Sequence, residues 1–184
     1  AMKDTFLKNE VFPIHFMYDT GMLEELKDIL GFKNQELSNK VGAFTDYTDR
    51  ILEWATRKVG GALWREMKSD ACTPFTRVTS DGTYFLTRLA DYLKNSTHIQ
   101  LHIVGHSAGS IFQAHSLARL FKIDETLKVD SLHLMAPAIS YPLFNETLAP
   151  LIESEYIAST TVYNLSGPLE KDDHVARIYQ KSLL

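Results

Sequence analysis

Residues Leu101–Ser110 read LHIVGHSAGS. The first four are apolar or strand-forming, and together with the preceding residues His98–Val104 (HIQLHIV) they predict a buried strand. The adjoining stretch Ser110–Phe121, SIFQAHSLARLF, spaces Ile111, Ala114, Ala118 and Phe121 at helical intervals along one face. Ser107 therefore falls at a strand-to-helix turn, between Gly105 and Gly109. A turn that sharp needs room where strand and helix approach each other, and the two glycines are expected to leave it.

Three further segments carry the same strand signature: Val11–Asp19 (VFPIHFMYD), Val129–Ala136 (VDSLHLMA) and Thr160–Ser166 (TTVYNLS). Helical periodicity separates them, as in TYFLTRLADYLKN, which places Phe85, Leu86, Leu89 and Leu93 on one face. Strands alternating with helices of this length predict an α/β fold, with a parallel sheet joined by right-handed crossovers and covered on both faces. One region departs from that rhythm. From Gly21 to about Asp81 the chain reads as amphipathic helices punctuated by Gly42, Gly60-Gly61 and the CTPF turn, with Trp54 and Trp64 among their apolar residues. Two readings remain: packing of these helices on each other and on the sheet, or a cap lining a substrate pocket at the C-terminal ends of the strands.

Composition sets the frame. At 184 residues and 45% hydrophobic content, the chain is expected to form a single domain, 1–184, with the helical insertion at about 21–81 inside it. The formal net charge of −4 gives no electrostatic footprint for nucleic acid, so no nucleic-acid partner is expected. Cys72 is the sole cysteine, which excludes an intrachain disulfide and fits a reducing, cytoplasmic compartment. No apolar run is long enough to span a bilayer. Neither H-x-x-H nor H-E-x-x-H spacing marks a metal site, and neither G-x-G-x-x-G nor a P-loop marks a nucleotide site, so no cofactor is expected.

The strand–turn–helix setting of GHSAGS is what a nucleophile elbow requires. There the serine takes a strained backbone conformation that projects its Oγ above the sheet, and the helix N-terminus offers free N–H groups. Ser107 is the candidate nucleophile, and the Ala108 N–H is the candidate donor to a developing oxyanion. The chain resembles the α/β-hydrolases, and among them bacterial serine-hydrolase-like proteins that carry VGHSAGS at the elbow. The resemblance is carried by FPIHFMYDTG, WREMKSDA, LHIVGHSAGSI, LHLMAPA and VYNLSGPLEKDDHV. It implies a hydrolase acting on an ester, thioester or related acyl substrate, with the triad in the order nucleophile, acid, histidine.

By that order the acid lies in the loop after TTVYNLS, where Asp173 is the first candidate and Asp172 the second. Both also suit the first turn of a helix over KDDHVARIYQKSLL. The family's histidine comes after one further strand, which does not occur before Leu184. Of the histidines after Ser107, His115 is expected to point away from the elbow and His133 to be buried in its strand. His174 adjoins the candidate acid and remains the candidate base, pairing with Asp172 or Glu170. His106 is expected to pack beside the elbow, and His15, His98 and His102 to be structural. The family's oxyanion loop and the strand before it are likewise not matched ahead of MKDTFLKN, which reads as the tail of a helix. By this resemblance the chain is expected to be a central part of the fold. It would then be a piece of a larger hydrolase, one half of a pair completed by a second chain, or a non-catalytic binding module of the same ancestry.

Overall fold

The structure is a computed structural model that describes residues 3–16, 61, 64–96, 98–164 and 166–167. The chain divides into two units, residues 1–50 and 51–184. In the first, helix α1 (Lys3–Lys8) ends on Glu10, which takes the left-handed conformation at φ 58°. The Val11 N–H closes back on the Phe6 carbonyl at 2.9 Å, a helix-stop arrangement that satisfies terminal carbonyls. Residues 11–16 then run as irregular chain, so the strand expected over Val11–Asp19 is absent from its described part. Pro13 interrupts the stretch and has no N–H to give a ladder, and no strand among the described residues pairs with it.

The second unit contains a three-stranded parallel sheet in the order β1 (His102–His106), β2 (Ser131–Met135), β3 (Thr160–Tyr163). Helix α3 (Gly109–Ile123) joins β1 to β2, and helix α4 (Tyr141–Glu153) joins β2 to β3. Helix α2 (Asp81–Lys94) precedes β1 and packs on α3. This is an α/β architecture. The first strand starts four residues later than the apolar pattern suggests, because Leu101 is held by Asp130: its N–H donates to the carboxylate at 2.7 Å, and its carbonyl accepts the Asp130 N–H at 2.9 Å. Residues 98–100 remain exposed.

The register pairs Ile103 with Leu132 and Gly105 with Leu134, and Leu134 with Val162, so these residues share one sheet face. Helix α3 covers that face and is itself covered by α2 and α4. It is therefore buried nearly all round, through Ser110, Ile111, Phe112, Ala114, Ser116, Leu117, Leu120 and Phe121, where the apolar spacing indicated a single stripe. Both faces of the sheet were expected to be covered. Among the described residues the opposite face stays largely open, with Val104 54% and Met135 43% exposed.

Most of the insertion expected at about 21–81 lies outside the described residues, Trp54 with it. Its C-terminal end is a helical stretch over 64–72 and a 3-10 turn, Thr73–Phe75. Phe75 packs edge-on against Phe112, one turn into α3, at 4.8 Å between ring centroids. Trp64 is half-buried. No described helix is long and apolar enough to cross a membrane.

Candidate functional site

The turn after β1 places Ser107 at φ 49°, with helix α3 starting two residues later at Gly109. A left-handed conformation costs a residue with a Cβ on the order of 1–2 kcal/mol, so neighbouring interactions must hold it. They come from the end of β2, the loop that follows it and the first turn of α3. The Ser107 N–H donates to the Met135 carbonyl at 2.9 Å, and the Ser107 carbonyl accepts the Ala138 N–H at 3.1 Å. The same carbonyl accepts the Ser110 N–H at 3.0 Å and the Ser110 hydroxyl at 2.7 Å. With each intramolecular hydrogen bond contributing about 1 kcal/mol net, the set outweighs the strain.

The β2 exit is bent in the same manner. Ala136 has φ 41°, and its N–H donates to the Tyr163 carbonyl at 2.7 Å, which turns residues 137–139 back toward the elbow. Two consecutive strand ends thus carry a left-handed residue with a side chain, both at the C-terminal edge of the sheet, where ligands bind in open parallel sheets. The glycines play unequal parts. A Cβ on Gly105 would meet Ser110 Cα at 3.0 Å and Gly109 O at 3.1 Å, while a Cβ on Gly109 would meet nothing within 4 Å. Close approach of strand and helix accounts for Gly105 alone, and the steric role expected of Gly109 is not seen.

Ser107 is half-buried, and its Oγ makes no hydrogen bond among the described residues. Ala108, the residue before α3, has helical dihedrals, and its N–H likewise reaches no acceptor among the described residues. A hydroxyl and an unengaged N–H on adjacent residues at a helix N-terminus can bind a carbonyl oxygen or an anion. Asp172, Asp173 and His174, with Glu170, lie outside the described residues.

The described histidines do not gather around Ser107. His106 is exposed on the open sheet face, as is His102, and His98 and His15 are exposed as well. His133 is only part-buried, a correction to the burial expected of it: its alternation in β2 puts it on that same open face. There one hydroxyl joins two rings, with Ser131 Oγ 2.7 Å from His102 Nδ1 and 3.0 Å from His133 Nε2. His115 sits on α3, where burial holds its imidazole below the ordinary value of 6.5, with the charge of Glu146 acting the other way.

The exit loop of β2, the start of α4 and the end of β3 line an open pocket of about 420 Å³. Leu134, Pro137, Ile139, Phe144 and Val162 give it an apolar lining, and Asn164 adds an amide. Neither Ser110 nor this cavity was singled out from the sequence. For Ser110 a signal exists, since a small polar residue one step inside a tightly packed elbow helix has few places to send its hydroxyl. No protein-family model, curated protein or solved structure matches the chain.

Proposed function

We propose that the protein is a serine hydrolase of the α/β-hydrolase type, in which Ser107 attacks the carbonyl of an ester, thioester or related acyl substrate. The observation that carries this reading is the left-handed Ser107 at a strand–turn–helix junction, with its hydroxyl unengaged among the described residues. In the reaction the Oγ adds to the carbonyl carbon as its proton passes to a base. The oxyanion is received by the Ala108 N–H, and the leaving group departs with a proton to give an acyl-enzyme that water resolves. Asp173 is the first candidate acid and Asp172 the second; His174 is the candidate base within this chain, oriented by Asp172 or Glu170. The apolar cavity beside the loop at 137–139 favours an acyl group of hydrocarbon character.

A second reading rests on one observation: no described histidine reaches the Ser107 hydroxyl. On that reading the chain is a non-catalytic binding module that retains the elbow, or one that needs a second chain. Reaction with a fluorophosphonate probe separates the two. A serine with no base in hydrogen-bond reach is a poor nucleophile, because nothing takes its proton in the transition state. The 184-residue chain is therefore expected to label slowly, at Ser107 only, with labelling abolished by Ser107→Ala. Loss of labelling in His174→Ala would identify the base. Labelling equal in wild type and Ser107→Ala would sink the hydrolase reading and leave the binding module.

A further inference from the structure

Ser110 is completely buried, at 0% exposure, and its hydroxyl both donates and accepts. It donates to the Ser107 carbonyl at 2.7 Å and accepts the Ile139 N–H at 3.0 Å. The bond to Ser107 alone would be an ordinary contact within a helix's first turn. The bond to Ile139 crosses 29 residues of sequence and joins the elbow to the loop leaving β2. That loop also holds Ser107 directly, through Met135 O and the Ala138 N–H. The strained residue is thus gripped on both sides of its own Cα by one segment, and Ser110 fastens that segment to the helix.

We infer that Ser110 is the positioning residue of the elbow: its hydroxyl clamps residues 137–139 to α3 and so keeps Ser107 in the left-handed conformation that frees its Oγ. The functional consequence rests on the reading of Ser107 as nucleophile, whereas the clamp does not. An alanine at 110 leaves the Ile139 N–H without its acceptor and removes one of the four hydrogen bonds at the Ser107 backbone. Cysteine fills the space of the hydroxyl, with a somewhat larger sulfur, while offering only a weak donor and acceptor. If packing alone matters, cysteine behaves as wild type; if the hydrogen bonds matter, it behaves as alanine.

Three measurements on the 184-residue chain test this. Amide hydrogen exchange in the wild type comes first and needs no variant. Ile139 is expected to be protected at a level approaching that of Leu132 and Leu134 in β2, and exchange at the unfolded-chain rate overturns the clamp. In Ser110→Ala and Ser110→Cys, exchange at Ile139 is expected to rise about fivefold, the factor one net hydrogen bond carries, with Leu132 and Leu134 unchanged. The Ser107 Cα and Cβ carbon shifts are expected to move away from left-handed values in both variants. Unchanged shifts overturn the positioning role, as does a cysteine variant indistinguishable from wild type. The fluorophosphonate rate at Ser107 is expected to fall about fivefold alongside, again the factor of one hydrogen bond. If exchange and carbon shifts respond while the wild type never labels, the hydrolase reading fails and the clamp stands. If the wild type labels and both variants label at its rate, the positioning role fails and the hydrolase reading stands.

Discussion

An alanine at Gly105 would bring its Cβ to 3.0–3.1 Å from Ser110 Cα, Ser110 N and Gly109 O, all atoms of a backbone already committed by hydrogen bonds. Such atoms cannot move aside as a flexible side chain would, so Gly105→Ala is expected to lower stability by about 1–3 kcal/mol, the usual overpacking range. Gly109→Ala meets open space among the described residues and does not require a left-handed φ. Restricting the unfolded chain at such a site stabilises by about 0.4–1 kcal/mol. Opposite shifts in urea midpoint are therefore expected from the same substitution four residues apart. A loss at both positions would show that Gly109 serves close packing after all.

Element boundaries here are set by a few residues whose role is conformational. Helix α4 ends on Glu155 at φ 56°, where the Tyr156 N–H returns to the Leu151 carbonyl at 2.9 Å and the Glu155 N–H to Ile152 at 3.1 Å. Glycine takes that conformation without the Cβ penalty, which more than offsets its larger entropy loss on folding. Glu155→Gly is expected to raise stability by about 0.5–1 kcal/mol, read as a melting temperature higher by roughly 1–4 °C. A lower melting temperature would count against the left-handed stop. Within α2 the reverse holds. A Cβ on Gly82 would fall 2.6 Å from the Pro74 carbonyl oxygen and 2.7 Å from Phe75, so Gly82→Ala, ordinarily favourable in a helix, is expected to cost at least about 1–3 kcal/mol by forcing α2 off the 3-10 turn. A circular-dichroism melt unchanged from wild type would refute this.

For the molecule as a whole, the stability profile with pH carries a contribution from His115. Its folded imidazole binds a proton less readily than the unfolded chain does, because burial disfavours the charged form more than Glu146 favours it. The unfolded state thus holds more proton below the ordinary value of 6.5, and stability rises with pH across the window beneath it. The contribution is full above 6.5 and is lost as pH falls through the lowered folded value. His115→Gln is expected to flatten the difference between urea midpoints at about pH 7.5 and pH 5.5, a range chosen to bracket histidine titration. An equal or steeper fall in the variant would assign that pH dependence to other groups.

The α/β class and the Ser107 turn were legible in the sequence because both rest on local physics. Apolar runs of strand length alternate with helical periodicity, and a serine between glycines at their junction has few conformations to choose from. Helix α2 and the segments around β2 and β3 were legible for the same reason. What the tertiary structure decided depends on neighbours distant in sequence. Val11–Phe16 carries a strand's composition yet forms none, since a strand exists only through a partner's hydrogen bonds. The all-round burial of α3 comes from having β1, α2 and α4 around it, which no single stripe encodes. Ser110 took its meaning from Ile139, 29 residues away, and His133 took its partial exposure from a sheet face that stays open among the described residues. Gly105 and Gly109 look alike in the motif, and only the path of α3 over β1 separates the one that must lack a side chain from the one that need not. Local spacing specifies which conformations a segment can adopt; the contacts that select among them are made by the fold.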